Sequence, residues 1–111
     1  MDCIFCGIAK KEIPAKIVYE GENVIAFEDI QPKAPVHIVI IPKKHIPTVL
    51  ELKQEDKELV GQIFLTVPKI AEIKKVSESG YRIVLNKGKD AGQTVDHLHF
   101  HLLGGKTLPF A

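Results

Sequence analysis

The chain is poor in the features that mark several large classes of protein. Net charge is only +1 across 111 residues, so no global field points to nucleic acid or to an anionic membrane. No apolar run reaches the roughly 18 residues that a membrane span requires. The opening stretch, MDCIFCGIAKKE, lacks a basic leader followed by an apolar segment, so a secretory signal is not expected and a cytoplasmic, reducing location is. There the two cysteines, Cys3 and Cys6, need a use other than a disulfide. With one arginine, Arg82, fork-shaped guanidinium clamping is poorly supplied. Internal repeats, low-complexity tracts and linkers are absent.

What remains describes one domain spanning 1–111, with a hydrophobic fraction of 45% that excludes a disordered chain. Lysine pairs such as Lys10-Lys11 and Lys74-Lys75 read as solvated surface. Cys3 to Lys11 is a short helix or loop. KIVYE (Lys16–Glu20) and NVIAF (Asn23–Phe27) flank Gly21-Glu22 as a hairpin. VHIVII (Val36–Ile41) is a buried strand ended by Pro42. Thr48 and Glu51 have capping-box spacing. Gln54 to Lys75 is the main helix, with Val60, Ile63, Phe64, Val67, Ile70 and Ala71 as its apolar stripe and Pro68 expected to kink or split it. GYRIVLN (Gly80–Asn86) and Val95 to Leu103 are strands around the polar loop Lys87 to Thr94. The expected fold is α+β: a mostly antiparallel five-stranded sheet with one main helix and a short N-terminal helix.

The most informative segment is VDHLHFHLLGG, Val95 to Gly105, which holds three of the five histidines at 97, 99 and 101. In a strand these three share one face, about 7 Å apart in succession, while Leu98, Phe100 and Leu102 pack inward on the other. The apolar face fixes the register, because a slip of one residue would bury all three rings. A half-buried strand that happens to carry histidine outward accounts poorly for three in alternation. Two chemical readings stand: a metal site, since imidazole is the commonest metal ligand, and nucleophilic or acid–base chemistry. The Cys3-x-x-Cys6 pair is equally open between a redox pair, which needs a thioredoxin-like context missing here, two packed thiols, and a metal knuckle needing two more ligands.

HLHFHLL (His97–Leu103) resembles the His-x-His-x-His motif, followed by two apolar residues, of the histidine triad family. GQTVDHLHFHLLGG (Gly92–Gly105), APVHIVIIPKKHI (Ala34–Ile46), CIFCGIAKKEIPAKIVYE (Cys3–Glu20) and AFEDIQP (Ala26–Pro32) extend that resemblance to the Hint branch over almost the whole chain. The resemblance implies the histidine triad fold and a hydrolase that cleaves purine nucleoside phosphoramidates (AMP-amine type) to a nucleoside monophosphate and an amine. It implies His99 as nucleophile, His101 as a donor to the phosphate and His37 as support from the adjacent strand. At the substrate it places Asp29 on the ribose hydroxyls, Ile30 in the nucleoside pocket, and Asn86, Gly92, Gln93 and Thr94 at the phosphate. Phe5, Ile8 and Phe27 are candidates to flank the base. It further implies a structural zinc held by Cys3, Cys6, His45 and His97, and a homodimer.

One departure matters. Many Hint sequences have Ser where this chain has Thr94, and Thr is frequent there in dinucleoside polyphosphate hydrolases. Hydrolysis of dinucleoside polyphosphates or nucleotidyl transfer is therefore the alternative activity. A nucleotide-binding scaffold without useful catalysis is the alternative from another class.

Overall fold

The computed structural model describes residues 3–110. In order it contains α1 (Ile4–Ala9), β1 (Ile17–Glu20), β2 (Val24–Glu28), β3 (Val36–Pro42), α2 (Lys57–Ile73), β4 (Tyr81–Leu85) and β5 (Phe100–Gly104), with short 3-10 turns at 49–51, 54–56 and 89–91. The strands form one sheet in the order β1-β2-β3-β5-β4, every neighbouring pair antiparallel. The α+β expectation holds in strand number, pairing sense and both helices.

Strand periodicity divides the interior in two. Val24 and Ala26 of β2, Ile38 and Ile40 of β3, and Phe100 and Leu102 of β5 point to the face covered by α2, where Ile63, Val67, Ile70 and Ala71 meet them. The alternate residues Ile25, Phe27, Val39 and Ile41 form a second apolar cluster on the opposite face, with Ile8 of α1 and, packed against it, Phe5 and Ile13. This two-sided burial explains why β2 and β3 read as continuous apolar runs. Asp56 is buried, accepting from the Lys53 amide at 3.0 Å and pairing with Lys44 at 2.7 Å, which anchors the start of α2.

The structure departs from the sequence reading in three places. Pro68 lies inside α2 without splitting it: the proline removes one amide, but packing of the buried face keeps a single 17-residue helix. That face is completed by Thr66, whose hydroxyl donates back to the Gln62 carbonyl at 2.8 Å, while Phe64 of the expected stripe is half exposed. The last strand begins at Phe100 and not at Val95. Its ladders stop at Ile40 of β3 and Leu85 of β4: β4 ends there, and β3 goes on to Pro42 paired with β2 alone, so the segment 95–99 reaches the sheet without a ladder to hold it. The Thr48–Glu51 capping box is present, on a 3-10 turn.

Candidate active site and adjoining cysteine–histidine cluster

On the sheet face away from α2 lies a cavity of about 700 Å³. Its apolar end is walled by Phe5, Ile8, Ile13 and Phe27, and its polar end by Asp29, His37, Asn86, Gly92, Thr94, His99 and His101. The register produces this grouping. His37 lies opposite Leu103 and Val39 opposite His101, so His37 and His101 are diagonal neighbours on one face.

The three pocket histidines form a chain whose tautomers follow from their partners. The Lys33 amide donates to His37 Nδ1 at 2.9 Å, so the neutral His37 ring carries its proton on Nε2. That Nε2 lies 2.9 Å from His101 Nδ1 and 3.3 Å from Asp29 Oδ2, so His37 donates to the His101 ring beside the carboxylate. His101 Nδ1 is thereby an acceptor, and its proton sits on Nε2. His99 Nδ1 donates to the backbone carbonyl of His97 at 2.7 Å, which leaves His99 Nε2 with a free lone pair. Burial lowers the affinity of His37 for a second proton. The same cause, reinforced by the rings of His99 and His37, pushes His101 down to about 4 from the usual 6.5. Near neutral pH, His37 and His101 are therefore uncharged donors in series.

The loop before the triad is tightly built. Gly88 and Gly92 hold φ of 85° and 83°, the left-handed region where a side chain strains the backbone. Gln93 ties the loop to its surroundings: Oε1 accepts from the Gly88 amide at 2.9 Å, and Nε2 donates to the carbonyls of Pro47 and Val95 at 2.9 and 3.0 Å. Gln93 thus shapes the loop without lining the cavity. Ile30 lies at the cavity rim, 93% exposed. Asp29 Oδ1 accepts from the Gln31 amide at 2.8 Å, which fixes the carboxylate at the cavity wall.

His97, the first triad residue, leaves the cavity. It is fully buried, and its Nε2 donates to the Pro42 carbonyl at 2.8 Å, so its bare Nδ1 faces Cys3 Sγ at 3.3 Å, Cys6 Sγ at 3.6 Å and His45 Nδ1 at 3.2 Å. Cys6 Sγ lies 3.2 Å from His45 Nδ1. These four residues form a group able to hold a metal ion, all donor atoms lying within 4.8 Å of one another. Neither cysteine is in a disulfide. The expected outward row of three imidazoles is thus divided: His99 and His101 at the cavity, His97 in the cluster, with His97 and His99 both buried. The sequence reading did not include the Lys33 amide that sets the His37 tautomer, or Val39, Val84 and Leu103 in the cavity wall. Val39 and Leu103 share strand parity with His37 and His101, a signal the sequence does carry.

Comparison with known proteins decides the family, since residues 10–108 match the HIT domain. The chain belongs to the HIT domain family. This HIT domain is 45% identical over 107 residues to the purine nucleoside phosphoramidase of Escherichia coli K12, covering 96% of this chain and 90% of that one. The structure of a histidine triad protein from Clostridium difficile superposes with a TM-score of 0.96 at 45% identity, covering 100% of this chain and 96% of that one. A HIT family hydrolase from Legionella pneumophila gives 0.95 at 47% identity, covering 98% and 97%. The histidine triad fold and the family resemblance read from HLHFHLL are therefore facts about this chain.

Proposed function

We propose that this HIT domain hydrolyses purine nucleoside phosphoramidates through a nucleotidyl-histidine intermediate. The observation that carries the reading is the 2.7 Å bond from His99 Nδ1 to the His97 carbonyl, which leaves His99 Nε2 as an unprotonated nucleophile at the cavity. Nε2 attacks the α-phosphorus, the P–N bond breaks, and the amine departs with a proton taken up from solvent. Water then attacks the same phosphorus and returns a proton to solvent, the P–Nε2 bond breaks to restore the neutral ring, and the nucleoside monophosphate is released. His101 donates from Nε2 to a phosphate oxygen, and His37 supports it from behind as an uncharged donor. Asn86, Gly92 and Thr94 flank the phosphate, with Gln93 setting the loop, while Asp29 accepts from the ribose hydroxyls and Phe5, Ile8, Phe27 and Ile30 flank the nucleoside. The Escherichia coli relative, named as a purine nucleoside phosphoramidase, supports this substrate class. Turnover of an adenosine phosphoramidate tests it: equal rates for wild type and His99→Ala overturn the assignment of the nucleophile.

Thr94 at the cavity favours a second reading, hydrolysis of dinucleoside polyphosphates by the same nucleophile. Comparison of both substrates at equal concentration separates the two. A protein that binds AMP but gives no trappable nucleotidyl-histidine is instead a scaffold.

The cluster of Cys3, Cys6, His45 and His97 is read as a structural zinc site. Its donor set fits. A tetrahedron with bonds of about 2.3 Å to sulfur and 2.0–2.1 Å to nitrogen has S···N edges of about 3.5 Å and an N···N edge of about 3.3 Å. Four of the six spacings here run from 3.2 to 3.6 Å, and all lie within 4.8 Å. The backbone acceptor on His97 Nε2 is the usual partner of a ligating imidazole. Burial pushes the Cys6 thiol up, and a bound cation reverses this. Four protein donors leave no open position, so the ion would serve as a brace. Two cysteines outside any disulfide suit a reducing compartment, which supports a cytoplasmic location. Metal analysis of protein purified without added zinc tests the site; a stoichiometry near zero, unchanged in Cys3→Ser, removes it.

A homodimer is part of the same reading. β4 is an edge strand, and Tyr81 and Leu85 on it, with Phe64, Leu65 and Ile73 on α2, are exposed apolar residues. Light scattering showing a stable monomer at micromolar concentration counts against it.

A further inference from the structure

The nucleophile sits where the sheet has stopped holding the chain. The β5 ladder begins at Phe100, so neither His97 nor His99 has a strand partner. This stretch is held by the Leu98 side chain in the main core, the Leu98 amide on the Ile46 carbonyl at 2.6 Å, the Gln93 side-chain amide on the Val95 carbonyl at 3.0 Å, and the His97 ring between the Pro42 carbonyl and the cysteine–histidine cluster. His97 therefore faces two ways. Its ring nitrogen belongs to the cluster, and its carbonyl fixes the His99 tautomer. Ile46, which anchors Leu98, directly follows the cluster residue His45.

A second link runs through α1. Phe5 lies between the two cysteines, and its ring meets His99 edge-on, with centroids 5.0 Å apart at 77°. The same ring contacts Phe27 at 5.5 Å and His97 at 5.9 Å. A helix of six residues has little stability of its own, so the place of Phe5 depends on what anchors the helix. Cys3 at its N-cap and Cys6 in its first turn tie it to the cysteine–histidine cluster, while Ile8 packs in the second apolar cluster.

We infer that the Cys3–Cys6–His45–His97 cluster is the positioning device of the nucleophile, with His97 and Phe5 as the two positioning residues that pass its rigidity to His99. The inference rests on the readings of His99 as nucleophile and of the cluster as a metal site. With the cluster closed, the His97 carbonyl and the Phe5 edge admit one orientation of the His99 ring. With it open, the segment 95–99 loses a main anchor and the ring samples both tautomers.

The test uses the metal-loaded protein, the same protein after chelation, and His45→Ala, which deletes the exposed donor and leaves Cys3, Cys6 and His97. Phe5→Leu supplies a further variant that keeps all four metal donors. Ring ¹⁵N shifts of His99 report its tautomer; single-turnover nucleotidylation and AMP binding are measured alongside, with circular dichroism confirming the fold. The loaded protein is expected to show only the Nδ1–H tautomer. Chelation, His45→Ala and Phe5→Leu are expected to mix the tautomers and slow nucleotidylation about tenfold, the usual scale for loss of a supporting partner, with AMP affinity little altered by the first two. A folded, metal-free protein with an unchanged His99 tautomer and rate overturns the proposal, as does a protein that binds no metal. His99→Ala separates this from the reading beneath it. If that variant loses turnover while metal removal leaves the tautomer unmoved, only the positioning role falls.

Discussion

The Nδ1 proton of His99 is held by the backbone carbonyl of His97 at 2.7 Å, so a main-chain oxygen orients this ring where many histidine nucleophile–base pairs use a carboxylate. If His99 is the nucleophile, replacing it by Ala removes the attacking nitrogen. Turnover of an adenosine phosphoramidate is expected to fall by about 10³-fold or more, with AMP still bound. Mass spectrometry of acid-quenched wild-type protein should show an added nucleotidyl group that His99→Ala lacks.

His37 bridges the Lys33 amide and the His101 ring. His37→Ala leaves that amide and His101 Nδ1 without partners, at a cost of about 1–3 kcal/mol each where water cannot reach them. Urea unfolding should show a lower midpoint, and kcat should fall more than KM rises, because His101 loses its fixed tautomer. His37→Asn, which restores a donor, should recover part of the loss if its amide reaches His101.

The pH dependence of stability follows from the same buried rings. His101 takes a proton at about 4 when folded and near 6.5 when unfolded. Between these values the unfolded chain binds the extra proton, so acid favours unfolding. The contribution of His101 is complete above 6.5, declines as the pH falls toward 4, and changes no further below that. His37, also held low by burial, acts in the same direction. Denaturant midpoints at pH 7.5 and 4.5 should therefore differ, and His101→Asn should reduce the difference. An equal drop in the variant would assign the acid sensitivity elsewhere.

Asp29 presents its carboxylate to the cavity beside His37. If it accepts from ribose hydroxyls, Asp29→Ala should weaken AMP binding about tenfold, the scale of one or two hydrogen bonds to a charged group. The loss should be much smaller for a deoxyribose analogue, which calorimetry with both nucleotides would read directly.

Sequence alone carried the fold a long way. Alternation of apolar residues in HLHFHLL and the continuous run VHIVII specify which faces are buried, because a strand has a period of two and a sheet must cover its apolar side. The hairpin, the capping box and the helix stripe are likewise local patterns. The family was legible because its motif lies within seven consecutive residues. Tertiary structure decided what each histidine does. His97, His99 and His101 are equivalent in the alternation, yet the ladder ends at Phe100, and the two histidines before it are claimed, His97 by the cluster and His99 by a main-chain carbonyl. The tautomers of His37 and His101 depend on the Lys33 amide and on the register that makes the two rings diagonal neighbours. Local sequence determined which side of the sheet a side chain faces. Which proton its ring keeps depended on partners up to 64 residues away, brought together only when the strands pair.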